Sequence, residues 1–176
     1  KFLKLTIASL LTSSALFAGT YNIDVSHSNV GFTVKHMMIT NVSGKFNDVA
    51  GTFEYDEKTN TLTSLSGEII VASINTANEK RDTHLKADDI FDAEKFPKIE
   101  FKTTKIEDNA VYGDFTMKGV TKNIKLELEN GGVITDPKGN LRAGFELTGK
   151  ISRKDFGITW NKILETGGVT VGDEVK

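Results

Sequence analysis

Three histidines are the residues best suited to acid–base or metal chemistry: His27, His36 and His84. They fall at the start of one extended segment, at the end of the next, and in a helix-like stretch. No two of them have the spacing that puts both ligands on one helix face, so a metal site would require the fold to converge all three. Turn or surface histidines making local hydrogen bonds account for the same positions, and no metal is expected. Arg81-Asp82-Thr83-His84 with Asp88, Asp89 and Asp92 gathers carboxylates that could serve as general acid and base in a water-poor cleft. A solvated helix face explains them equally, and it is the reading adopted here. The chain has no Cys, which removes thiol chemistry, Cys-ligated metal and disulfides together. It has no Gly-x-Gly-x-x-Gly or Walker-type loop to cradle phosphates and no Gly-x-Ser-x-Gly elbow to present a nucleophile. No catalytic residue and no cofactor are assigned, and the chain reads as a non-enzyme.

Phenylalanine is the more distinctive feature: eleven Phe stand against one Trp and three Tyr. Phe carries no polar atom and packs where nothing hydrophilic is wanted. Such a set either fills a core or lines a cavity, and composition does not separate the two.

The elements that must position these side chains are mostly strands. Tyr21, Ile23 and Val25 alternate with polar residues, as do Val30, Phe32 and Val34, and then Val49, Gly51, Phe53 and Tyr55. Period-two alternation buries one face and wets the other. Leu65 to Ile74 reads as one long strand with apolar residues on both faces, which requires cover on both sides. Thr76 to Phe96 is the helix-like stretch, capped by Thr76 or Asn78, broken near Asp88-Asp89 and ended by Pro97. Strands resume at Ile99 and Phe101, then Val111 to Met117, Ile124 to Leu128, Leu141 to Leu147, and Ile151 onward. Lys118-Gly119 and Asp136-Pro137-Lys138-Gly139-Asn140 mark turns. About eight strands at this spacing, with one helical insertion, describe a sandwich or a barrel. Glycines within the strand patterns, Gly51, Gly113 and Gly149, favour the bending that closes a barrel.

Residues 1–18 have the layout of a secretory signal peptide: Lys1 and Lys4, an apolar run, and small residues ending at Ala18. The run is shorter than the ~20 residues that span a bilayer. The expected product is exported to the periplasm and starts near Gly19, leaving 19–176 as one domain with no later membrane span. Loss of Lys1 and Lys4 takes the formal net charge from −2 to −4. That mild acidity argues against a nucleic-acid partner and against electrostatic docking to anionic lipid.

Several ordered blocks then carry a family resemblance. They are Tyr21-x-Ile23-Asp24-x-x-His27-Ser28-x-Val30-x-Phe32-x-Val34-Lys35-His36-Met37; Arg81-Asp82-x-His84-Leu85-Lys86 with Asp89-x-Phe91-Asp92 and Phe96-Pro97; Gly113 to Thr121; Arg142 to Phe145; and Arg153-x-Asp155 to Asn161, followed by Leu164 to Gly168 and Val171-Gly172-Asp173. In these the chain resembles the YceI-like family of periplasmic polyisoprenoid-binding proteins. The resemblance implies an all-β fold, an extended antiparallel lipocalin-like β-barrel of about eight strands with a short helical insertion. It also implies an apolar tunnel holding a polyisoprenoid, an isoprenoid quinone or a fatty amide. Inward candidates are Phe32, Val34, Met38, Phe46, Phe53, Ile69, Val71, Phe101, Phe115, Met117, Phe145 and Trp160. Candidate head-group contacts are Arg153, Asp155 and Asn161, for which a structural network is the favoured reading. Arg81 and Asp82 are expected to pin the helical insertion. The family usually continues beyond the position of Lys176 into a further strand; without it one sheet edge would be open, a site for a homodimer. Competing readings are an enzyme acting on an isoprenoid-like substrate around His36 or Asp155, and a secreted interaction protein whose barrel is simply packed.

Overall fold

The computed structural model describes residues 19–165 and 167–176. The signal peptide expected over 1–18 lies outside the described residues. Twelve strands are present among the described residues: β1 Gly19–Asn22, β2 Val30–His36, β3 Thr40–Phe46, β4 Val49–Asp56, β5 Thr61–Ile70, β6 Ile74–Asn75, β7 Lys98–Glu107, β8 Ala110–Met117, β9 Val120–Thr135, β10 Leu141–Thr148, β11 Ile151–Ser152 and β12 Val171–Val175. Eight of these have seven or more residues and correspond to the strands read from alternation. The helix α1 spans Glu79–Lys86.

The strands form two antiparallel sheets. One has seven strands in the order β1-β4-β5-β7-β8-β9-β10, the other five in the order β11-β12-β2-β3-β6. The larger sheet curls. Its pairings carry irregularities between Glu54 and Tyr55, between Thr103 and Lys105, and between Gly144 and Phe145. Each such bulge bends a strand and adds right-handed twist, which a flat ladder cannot do. The result is a curled, barrel-like fold of the lipocalin type, with α1 as the helical insertion.

The expected single strand Leu65 to Ile74 is two strands in two sheets. β5 stops at Ile70, a 3-10 turn covers Val71–Ser73, and β6 pairs with Lys45 and Phe46 of β3. Ser73 holds this corner. Its Oγ donates to Ile70 O at 2.7 Å and accepts from Asp48 N at 3.0 Å, tying the β5–β6 crossover to the β3–β4 crossover. The corner resolves the two-faced apolar pattern, because the run changes from β5 of one sheet to β6 of the other within it.

Asn78 caps α1, its side chain accepting from Arg81 N at 3.0 Å. Arg81 Nε and Nη2 donate to Thr76 Oγ1 and O at 2.7 and 2.8 Å, and Asp82 Oδ1 accepts from Thr76 N and Oγ1 at 2.9 and 2.5 Å. These contacts fold the helix back on the segment that leaves β6. Met117 and Val120 are paired across a two-residue turn in which Lys118 and Gly119 both have positive φ, the arrangement that suits tight hairpins.

Two apolar clusters lie in the interior. One is centred on Phe46, Val49, Val71, Ile74, Ile90, Ile99, Met117, Phe156 and Ile158. The other is built on Phe53, Tyr55, Leu62, Val111 and Leu128.

Candidate functional site

Between and alongside these clusters lies a cavity of about 2160 Å³. Ordinary small-molecule sites occupy about 300–1,000 Å³, so this space suits a larger guest. Its wall is supplied by the inward face of nearly every long strand: Phe32 and Val34 of β2, Phe46 of β3, Val49 and Phe53 of β4, Leu65 and Ile69 of β5, Ile99 and Phe101 of β7, Phe115 and Met117 of β8, Ile124 and Leu126 of β9, and Ala143, Phe145 and Leu147 of β10. Residues i and i+2 recur because alternate side chains of a strand face one side.

Aromatic rings brace this wall. Tyr21 stacks on Phe53 at 5.1 Å between centroids, and Phe145 meets Phe53 edge-on at 5.1 Å. Phe32 tilts against Phe46 at 5.7 Å. Two of the rings lie over a glycine on the neighbouring strand. A Cβ on Gly44 would come within 2.5 Å of Phe32 Cζ, and one on Gly113 would collide with the Phe101 ring. Glycine at these positions lets the ring lie flat along the wall instead of standing into the space.

Ten of the twelve inward candidates line the cavity: Phe32, Val34, Phe46, Phe53, Ile69, Phe101, Phe115, Met117, Phe145 and Trp160. The other two are corrected. Met38 sits in the β2–β3 turn and is exposed, because the alternation it continues ends at His36. Val71 is fully buried in the 3-10 turn within the first cluster and does not reach the cavity. Tyr21, Val49, Leu65, Ile99, Ile124, Leu126, Ala143, Leu147 and Ile158 line the cavity as well. For most of them alternation was the available signal. It marks an inward face without telling cavity from core.

The three head-group candidates divide differently. Arg153 is buried and its donors are spent on the chain itself: Nε to Gly172 O at 2.8 Å, Nη1 to Ile158 O and Trp160 O at 2.8 Å each, and Nη2 to Val171 O and Asp173 Oδ1 at 3.3 Å each. Burial pulls its pKa below the usual arginine value, and Asp173 opposes that shift. Asn161 donates to Val171 O at 2.7 Å and accepts from Val171 N at 3.1 Å. Asp155 is exposed and outside the cavity wall. Arg153 and Asn161 thus form a structural network that fixes the stretch 158–161 against β12.

Polar groups border the cavity in two places. At one, Arg142 Nη1 contacts Asp24 Oδ2 at 2.6 Å and Arg142 Nε contacts Asp136 Oδ2 at 3.1 Å. Hydrogen bonds from His27 and Ser26 hold the Asp24 carboxyl below the usual range. Backbone donation from Asn140 leads the causes that bring Asp136 down to about 2. At the other, His84 packs edge-on against Trp160 at 5.0 Å and contacts Asp89 Oδ2 through Nε2 at 3.0 Å. Beside the wall, burial and the Glu57 carboxylate push the Tyr21 hydroxyl up to about 12. The histidines remain apart on the β1–β2 loop, the end of β2 and α1. Among the described residues, no group of three or more His, Cys, Asp or Glu side chains is arranged to hold a metal ion.

The YceI-like domain model matches residues 21–176. A UPF0312 protein of Staphylococcus aureus strain N315 is 40% identical over 157 residues, covering 89% of this chain and 92% of that protein. The crystal structure of the Campylobacter jejuni YCEI protein is similar at 39% identity and a TM-score of 0.65, covering 78% of this chain and 83% of that one. Two more distant structures share the fold. Burkholderia cenocepacia BcnA has 22% identity and a TM-score of 0.68, covering 87% of this chain and 94% of that one. A polyisoprenoid binding domain from Saccharophagus degradans has 12% identity and a TM-score of 0.57, covering 90% and 93%. With a curled β fold around an apolar cavity and the domain match running from Tyr21 to Lys176, the chain belongs to the YceI-like family.

Proposed function

We propose that this protein is a lipid carrier that holds one long-chain apolar or amphiphilic molecule, such as a polyisoprenoid, an isoprenoid quinone or a fatty amide. The observation that carries this reading is the size of the cavity together with its lining of Phe, Ile, Leu and Val side chains. Each methylene taken from water into such a wall gains about 0.8 kcal/mol. A long tail accumulates enough of these increments to outweigh the cost of immobilising it, with few polar contacts. The fold shared with the domain from Saccharophagus degradans, named for polyisoprenoid binding, supports the same class of guest.

The role is binding rather than catalysis. Of the two residues around which a titratable pair is conceivable, His36 borders the cavity and Asp155 lies outside it. The periplasm is the compartment proposed, on the leader-like residues 1–18. Organic extraction of the purified protein followed by mass spectrometry tests the carrier reading. A stoichiometric long-chain lipid is expected. An empty extract, with no uptake of added ubiquinone or farnesylated probe, overturns it.

A further inference from the structure

Two neighbouring turns present large apolar side chains to solvent. In the β2–β3 turn Met37, Met38 and Ile39 are 45%, 58% and 79% exposed, and Ile163 in the 161–170 loop is 87% exposed. Only three other large hydrophobic residues are comparably exposed among the described residues. The two turns are joined. Met37 N donates to Thr170 O at 2.7 Å, and the Cβ position of Gly168 lies 3.5 Å from Met38 Cγ. Ile163 is bridged to Val169 on the returning limb of its loop.

The backbone of the first turn is costly as well. Ile39 N donates to His36 O at 3.2 Å across a turn whose central residues, Met37 and Met38, have φ of 48° and 67°. That conformation favours Asn and Gly, and few other residues adopt it. Met37 and Met38 are the one adjacent pair of non-glycine residues at positive φ among the described residues. Strain and solvent exposure of apolar groups coincide at one point, and such coincidences mark surfaces that meet something.

The turns border the cavity. His36, which precedes the first turn, and Trp160 and Thr170, which flank the second, all line it. Lys35 and Lys162 are exposed at the bases of the two turns. Apolar tips flanked by exposed lysines complement a phospholipid surface, with the methionines and isoleucines in the acyl boundary and cationic groups near the phosphates. A few side chains on two tips fall short of the roughly 800 Å² per partner of a standard protein interface. A fluid lipid surface requires no matching shape.

We propose that the Met37-Met38-Ile39 and Ile163 tips form a docking surface for a phospholipid membrane, placing the cavity edge at His36, Trp160 and Thr170 against the lipid. Glu165, on the same loop, opposes a purely electrostatic attraction, so insertion of the tips carries the contact. The proposal rests on the carrier reading for its purpose alone.

The absence of native cysteine makes single labelling direct. Ile163→Cys and, as a control in the β4–β5 turn, Lys58→Cys each receive one environment-sensitive dye. Phosphatidylglycerol vesicles are expected to shift the emission of the dye at position 163 to the blue, to leave position 58 unchanged, and phosphatidylcholine vesicles to act in the same direction more weakly. Introducing Met37→Asn with Met38→Gly gives the turn residues it prefers, so thermal stability should hold or rise while vesicle affinity falls about tenfold. Ile39→Lys, at a position too exposed to matter for folding, should act likewise. No shift at position 163, an equal shift at both positions, a shift that grows with protein concentration without vesicles, or unchanged affinity in both tip variants overturns the proposal. Because protein stripped of lipid serves in every arm, failure here leaves the carrier reading standing, and an empty extract leaves the docking result standing.

Discussion

Arg142 and Asp24 join the two edges of the seven-stranded sheet: Arg142 Nη1, on edge strand β10, lies 2.6 Å from Oδ2 of Asp24, two residues beyond edge strand β1. The two residues are 118 positions apart in sequence. Both line the cavity, so the ion pair spans a side of it that no ladder closes. Arg142→Ala should therefore speed release of a bound lipid while hardly changing Tm. Both side chains are substantially exposed, and pairs of that kind limit the effect to about fivefold at most. Transfer of a fluorescent fatty amide from the protein to vesicles, followed by stopped flow, checks it; an unchanged rate counts against the latch.

Asp136 on the same cluster predicts a pH dependence. Its carboxyl titrates near 2 in the folded protein, below the usual 3.8, led by hydrogen bonding from Asn140 N. A depressed carboxylate stabilises the fold at pH above the unfolded value, and that contribution is lost as pH falls through the folded one. Tm should decline between roughly pH 4 and pH 2. Asp136→Asn should lower Tm at neutral pH and flatten the decline in that window. A melting series against pH, run on both proteins, decides it.

Arg153 is predicted to matter for folding rather than for guest selection. Arg153→Met removes donors from four backbone carbonyls and leaves them facing an apolar side chain. Losing a buried charged hub of this kind costs about 3–5 kcal/mol. Urea denaturation should show a lower midpoint, with the lipid that survives extraction unchanged in identity. A variant of normal stability that carries a different lipid would restore the head-group role.

Ala143 lines the cavity between Phe145 and the β9–β10 turn. Ala143→Phe should fill part of the space and reduce the length or occupancy of the bound chain. Where a core is already packed, such an insertion costs about 1–3 kcal/mol. Here Tm should hold, since the ring enters a void. Native mass spectrometry for occupancy and a thermal melt for stability separate the two cases.

Much of this fold was legible because strands report themselves locally. Val30, Phe32 and Val34 alternate and share the cavity face, and Asn78 announces the start of α1. The break at Ile70 was not legible. Leu65 to Ile74 is continuously β-prone, and the corner depends on Ser73 meeting Asp48, a contact across 25 residues. Met38 misled for a related reason: its apolar character is the same whether a strand continues or turns, and the positive φ of Met37 and Met38 runs against their residue types. Arg153 was legible only in part, because a motif shows that an arginine belongs somewhere without showing which acceptors it will find. Its acceptors are carbonyls of residues 158, 160, 171 and 172, brought together only when β12 lies beside the preceding loop.

The sequence by itself determined the β class, the alternating inward face with its phenylalanines, the helical insertion and the family, since these rest on period, residue type and ordered motifs. The tertiary structure decided what that inward face encloses. Whether Phe101 and Phe145 meet other side chains or a void depends on how far the larger sheet curls, and the curl follows from bulges at three strand pairs. Bulges arise from register between strands, which no single strand encodes.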